Sequence, residues 1–353
     1  MAVTEMLAVR QPAWILSRRD DLLWFQGSVV AGLGLLAFFV AAPHLDAANF
    51  GPTHPAVIAV LLWGILFDGT HVWGTYARSY MAPDEGSRAG LPGRWSWAAL
   101  AVGPLIAIGA SPLFPAFLIG AYLWAYWHLV RQHYGFLILY RRRAGETDRR
   151  GARLDAWLLW VGCLYPFLRF SLSDAYVQSG LPVLLPPTTF VSLRPMLDVA
   201  FVLVMAAVVG LVVSGRVEPF RGGPKHLLLA VVITFHLLVF ALLDHLLTIL
   251  ATLTIFHNLQ YHRIVWQYER GLGRTPSGGL SRYLALGLIL GLVWYGTRIF
   301  GVAVAESELL RNVLSGLGWG VAFHHYLVDG RIWRVRRSLA VARALDRGAV
   351  PGR

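Results

Sequence analysis

A chain of 353 residues that is 56% hydrophobic and only 14% charged has too few polar positions to cover a soluble surface, where ~25% charged residues is usual. The formal net charge is +12, from 31 Lys and Arg against 19 Asp and Glu. No basic domain stands apart from the apolar runs, so the charge is not a nucleic-acid signature. Cys163 is the single cysteine, which excludes disulfides, cysteine zinc sites and iron–sulfur clusters within one chain.

Residues 1–24 are polar and mixed, with Arg10, Arg18 and Arg19. They carry no secretory-type cleavage site, so they read as a cytoplasmic segment ahead of a retained first span. Apolar runs of membrane-crossing length follow near 27–43, 55–78, 95–110, 113–140, 155–172, 195–214, 226–243, 246–268, 280–300 and 308–330, where one span needs ~20 residues. The run from His226 to Trp266 lacks Gly and Pro, and reads either as one long helix or as a hairpin turning at Asp244-His245. The segment Ser171 to Arg194, with its apolar Gly180-Leu-Pro run, is expected in the outer interface. Residues 331–353 form a basic tail that reads as a short amphipathic surface helix.

Arginine placement orients these spans. Arg10, Arg18 and Arg19 precede the first. Clusters then fall at Arg78 to Arg94, Arg141 to Arg153, Arg216 to Lys225, Arg263 to Arg274 and Arg331 to Arg347. With ten spans these clusters occupy alternate loops, while opposite loops such as His44 to His54 are nearly free of Lys and Arg. The positive-inside rule then puts both termini in the cytoplasm and favours the hairpin. The expected fold is an all-α polytopic membrane bundle, residues 25–330, in a bacterial-type inner (plasma) membrane.

Histidines are the abundant metal-ligand type, 12 in all. On this topology four groups fall at the cytoplasmic ends of four co-directional spans. They are Asp68 with His71, His128 with His133, His257 with His262, and His324-His325 with Asp329. Helical bundles build metal sites from such inward-facing side chains, and an ionisable residue at membrane depth is a functional signal. His71, His128, His133, His257, His262, His324 and His325 are therefore the candidate metal ligands. Both HxxxxH pairs are five residues apart, a rotation of roughly 140° on an ideal helix. One centre would need a distorted helix, whereas two neighbouring ions would strain it little. Asp68 and Asp329 share a face with His71 and His325 and are either ligands or acceptors that fix an imidazole tautomer. His236, mid-span, is either a buried hydrogen-bonder or a further ligand. Arg78 and Arg131 are candidate contacts for a substrate or headgroup. His44, His54 and His226 fall outside the group.

In HxxxxH and the His324-His325 pair the chain resembles the histidine-rich membrane non-haem iron enzymes, which include fatty-acid desaturases and hydroxylases. Their HxxHH boxes have no counterpart here. The resemblance implies a lipid-like substrate, dioxygen, iron (two non-haem ions) and a ferredoxin-like electron donor. A second resemblance, to the Brp/Blh-type carotenoid dioxygenases, implies iron-dependent cleavage without an external reductant. Two other classes compete. A haem electron carrier would set axial histidines in two layers, whereas these lie at one depth. A transporter would put its polar groups at the midplane, where His236 is the clear candidate.

Overall fold

The computed structural model describes residues 13–45, 51, 53–82, 91–178, 183, 185–214, 223–297, 305–334 and 338–348, and among them it is all-helical, without strands. Arg10, Arg216, the Gly180 run, residues 298–300 and parts of the tail lie outside the described residues. In chain order the long helices are α1 (Arg18–Ala41), α2 (Pro55–Arg78), α3 (Ala99–Gly109), α4 (Phe114–Arg143), α5 (Arg149–Ser171) and α6 (Phe190–Val213). They continue as α7 (Pro224–Leu242), α8 (Leu246–Gly271), α9 (Leu280–Tyr295), α10 (Glu308–Ile332) and α11 (Leu339–Gly348).

A helix occupies each of the ten stretches expected from the sequence. Among the described residues five helical segments are long and apolar enough to cross a membrane: Arg18–Ala41, Pro55–Arg78, Ser111–Arg143, Pro187–Leu211 and Pro224–Leu242. α8 and α10 have 26 and 25 residues, ~38 Å of helix, so their length suffices. Their mean hydropathy is diluted by histidines, Asn258, Gln260 and Asp329, the same residues that make them interesting. The run from His226 to Trp266 is a hairpin, broken at Leu243–His245, where the His245 ring accepts from the Leu247 N–H and caps α8. His54 caps α2 in the same way through Ala56 N–H, and His44 lies 3.4 Å from Asp244. These outlying histidines have local roles.

Packing closes α2, α4, α8 and α10 into a ring: α2 and α4 each touch both α8 and α10. Other helices brace it. A Cβ on Gly69 of α2 would overlap Gly291 of α9, and one on Gly103 of α3 would overlap Gly316 of α10. Such small-residue crossings let backbones meet where hydrophobicity gives no drive between helices. α5 is capped by Asp148, whose carboxylate accepts from Arg150 and Gly151 N–H, and these bonds hold its pKa below the usual value. α6 is exposed along its apolar length and meets α5 through the Tyr165–Phe201 stack at 3.9 Å and the Arg169–Asp198 pair. The tail helix α11 docks on α8, with Val341, Ala344 and Leu345 buried and Ala344 against Gly271. Asp346 anchors it to Arg142 and Arg143.

Candidate metal centre

Inside the ring, three helices repeat one device, an imidazole with a hydroxyl or carboxylate four residues later. α2 carries His71 and Thr75, α8 carries His257 and Tyr261, and α10 carries His325 and Asp329. Four residues bring side chains onto one face one turn apart, so each helix aims both groups at the bundle axis. α4 adds His128. In α2 a π-helical turn, Gly64–Asp68, immediately precedes His71. Such turns shift the angular register of a helix and recur at functional sites.

One ligand atom each from His71, His128, His325 and Asp329 lies within 4.8 Å of every other, and all four residues are buried. The His71 and His325 Nε2 atoms are 2.9 Å apart, and His257 Nε2 is 3.3 Å from His71 Nε2. Asp329 Oδ2 lies 3.8 Å from His325 Nε2 and 3.9 Å from His128 Nε2. Two nitrogens bonded at ~2.1 Å to one ion stand ~3.0–3.4 Å apart at angles of ~90–110°. Ring centroids repeat the pattern: 4.6 Å for His71–His325, 4.7 Å for His71–His257, 5.0 Å for His128–His325 and 5.5 Å for His128–His257. This His3Asp cluster, with His257 beside it, could hold a metal ion.

The hydroxyl partners set the protons. Thr75 Oγ1 donates to Asp329 Oδ1 at 2.9 Å, and Tyr261 OH donates to the same oxygen at 2.7 Å. Thr75 Oγ1 also stands 2.8 Å from His325 Nδ1 and 2.6 Å from Tyr261 OH. With the Thr75 proton on Asp329, the His325 contact is made by Nδ1–H donating to Thr75. That tautomer leaves the Nε2 lone pair facing the cluster. Asp329 in turn keeps Oδ2 directed at the imidazoles. Outer hydrogen bonds of this type orient metal ligands.

A cavity of about 50 Å³ adjoins the imidazoles, lined by Asp68, His71, His128, His257, His325 and Trp319 among others. Asp68 is held there by a 2.6 Å hydrogen bond from Tyr295 OH. The volume suits one or two small molecules, a water occupying ~30 Å³ in the liquid. Gln132 Nε2, donating to the His257 carbonyl at 2.8 Å, ties α4 to α8 beside the cluster.

Other candidates lie elsewhere. His262 is not in the cluster: its Nε2 meets Thr70 Oγ1 at 3.1 Å and its Nδ1 meets Tyr283 OH at 2.8 Å. His324 points away from His325, with Tyr76 and Tyr80 hydroxyls at 3.1 and 3.3 Å from its two nitrogens and Trp97 stacked on it at 4.0 Å. His133 and His236 are buried with ring centroids 6.0 Å apart, and His133 is 6.5 Å from His257. His236 Nδ1 meets the Val232 carbonyl, whereas its Nε2 and both His133 nitrogens have no hydrogen-bond partner among the described residues. Arg78 is buried, donates to the Ile332 carbonyl at 2.8 Å and stacks between Tyr268 and Trp333, so it closes the end of α10. Arg131 is exposed over the Trp127 and Tyr134 rings.

Sequence reasoning missed Thr75 and Tyr261. The available signal was their four-residue offset from His71 and His257, the spacing that had marked Asp329. Comparison with known protein families, curated proteins and solved structures gives no match. The class defined by fold and site is therefore an all-helical chain with membrane-type helices around a buried His/Asp cluster.

Proposed function

We propose that this chain is a multi-pass inner-membrane metalloenzyme in which His71, His128, His257, His325 and Asp329 hold non-haem iron that activates dioxygen to oxidise a lipid-like substrate. The observation that carries this reading is the convergence of imidazole nitrogens. Hydrogen bonding among the rings accounts for the contacts of His71 Nε2 with His325 and His257, and among the described residues it leaves His128 Nε2 without a hydrogen bond. An unpaired buried polar group costs ~1–3 kcal/mol. One cation would accept a lone pair from each ring at once, and Asp329 would offset part of its charge. Imidazole with carboxylate and an open position suits non-haem iron chemistry, although only the first histidine of each HxxxxH segment lies at the cluster.

When bound, the metal would supply a Lewis-acid and redox centre for dioxygen. The chain's own contribution is positional. Thr75 and Tyr261 hold Asp329, Thr75 fixes the His325 tautomer, and the small cavity beside Asp68 offers space for an exogenous ligand. A haem is disfavoured, because four imidazoles crowd around one point and leave no plane for a macrocycle. The orientation we infer has ten spans and cytoplasmic termini. It is supported by the basic C-terminal ends of the site helices, at Arg78, Arg141–Arg143, Arg263–Arg274 and Arg331. The electron source would be a ferredoxin-like carrier drawn to that basic face.

Oxygen consumption tests the reading. Fe(II)-loaded full-length protein in lipid discs, given a chemical reductant and a bacterial lipid extract, is expected to consume dioxygen. The His71→Ala/His325→Ala variant is expected to lose this activity. Equal consumption by both proteins would overturn the assignment.

A further inference from the structure

A second, larger cavity meets the cluster from the side. This cleft of about 510 Å³ between α4, α8 and α10 has His128 and Asp329 in its wall, together with Arg131 and Arg334. Its volume lies in the range of small-molecule sites, ~300–1,000 Å³. Phe136, Leu139, Ile264 and Tyr326 give it a mainly apolar lining.

The two arginines, like Arg78 and Arg331, differ from the cations that are paired with a carboxylate. Arg141, Arg142, Arg143, Arg169, Lys225, Arg263 and Arg274 each have a carboxylate within ion-pair distance. Arg131 has two aromatic rings and Arg334 has the Gly330 carbonyl, at 3.0 Å from Nε; neither has an ion pair among the described residues. Arg131 also lies ten residues before Arg141 on α4, ~15 Å along the helix axis. On the orientation inferred above, that offset sets Arg131 inward of the membrane edge, where an arginine is costly without an anion. It stands three residues from His128, on the same face and ~4.5 Å along the axis.

We propose that the cleft binds a single-chain amphiphile with an acidic head, carboxylate or phosphate, the head held by Arg131 and Arg334 and the chain along the apolar wall. This rests on the oxidative reading only for what happens next. If the cluster is the reactive centre, the carbons presented to it are those adjoining the head and not those of the distant tail.

The test is binding of a fluorescent polyene fatty acid to purified full-length protein, with the alcohol of the same chain as the comparison. Acid is expected to bind at least about tenfold more tightly than alcohol, a difference of ~1.4 kcal/mol. Arg131→Gln and Arg334→Gln should abolish that preference, and Arg131→Lys should retain most of it. An alkyl phosphate competing as well as the acid supports the shared head chemistry, as does failure of acetate and inorganic phosphate to compete. Competition by those small anions alone would mean a bare anion site and overturn the proposal. Equal binding of acid and alcohol would overturn it too. With Co(II) loaded, the ¹³C resonance of a 1-¹³C acid should relax faster than that of an acid labelled at the terminal methyl; the reverse order overturns the head-near placement. Metal content of the same samples separates the two readings. Acid selectivity in protein that takes up no metal would sink the oxidative reading and leave the cleft assignment standing.

Discussion

His257 and His262 stand on one helix five residues apart, and His324 and His325 are neighbours on another, yet each pair divides between two environments. His257 and His325 bring Nε2 toward His71, at 3.3 and 2.9 Å. His262 and His324 turn outward, and each has both ring nitrogens beside hydroxyl groups of Thr70 and Tyr283 or of Tyr76 and Tyr80. The rim imidazoles are satisfied by hydroxyl groups, whereas the central ones face each other with Asp329 Oδ2 3.8 and 3.9 Å from His325 and His128. Identical residue types thus acquire different roles through helix rotation. A ligand set is defined by unsatisfied convergence and not by motif membership.

The largest expected effect breaks the comparison at its centre. His71→Ala/His325→Ala should lose essentially all bound metal on elemental analysis, whereas His262→Ala/His324→Ala should keep it. Metal retained in the first variant, or lost in the second, would reverse the assignment of centre and rim. Smaller effects should follow at the hydroxyl partners. Thr75→Val and Tyr261→Phe each leave the imidazoles in place but remove one of the two hydroxyl donors to Asp329 Oδ1, so metal affinity in competition with a chelator should fall about 10–100-fold. Unchanged affinity would mean that Asp329 is not held for the metal.

What the sequence made legible divides along the same line. Apolar runs were sufficient to locate the helices, and arginine alternation was sufficient to choose the hairpin at Asp244-His245. Residue type brought attention to His71, His128, His257, His325 and Asp329. It could not separate them from His262 and His324, because the azimuth of each side chain depends on how α8 and α10 roll against their neighbours. The π-turn at Gly64–Asp68 adds a register shift with no clear sequence mark. Thr75 and Tyr261 resemble ordinary membrane-helix residues until their offsets from histidines are considered. The docking of α11 depends on Ala344 meeting Gly271, a contact between small residues that amphipathicity alone assigns to a membrane surface.

At the rim the expected effects are structural. His262→Ala removes its contacts to Thr70 and Tyr283, so thermal unfolding should register ~1–3 kcal/mol of destabilisation with metal content unchanged. A variant as stable as the parent would make those hydroxyl contacts dispensable. His324→Phe should do least, since the stack on Trp97 survives and only the hydroxyl partners of Tyr76 and Tyr80 are lost. Its stability loss should be below that of His262→Ala, and a larger loss would mean that the rim is itself a functional site.

X-ray absorption at the metal edge of the purified full-length protein, paired with its elemental analysis, tests the central claim most directly. The account predicts about one ion for each chain, with about four imidazole nitrogens at ~2.1 Å and multiple-scattering features of the rings. Protein that stays metal-free after incubation with Fe(II), or an ion whose shell lacks imidazole, would contradict it.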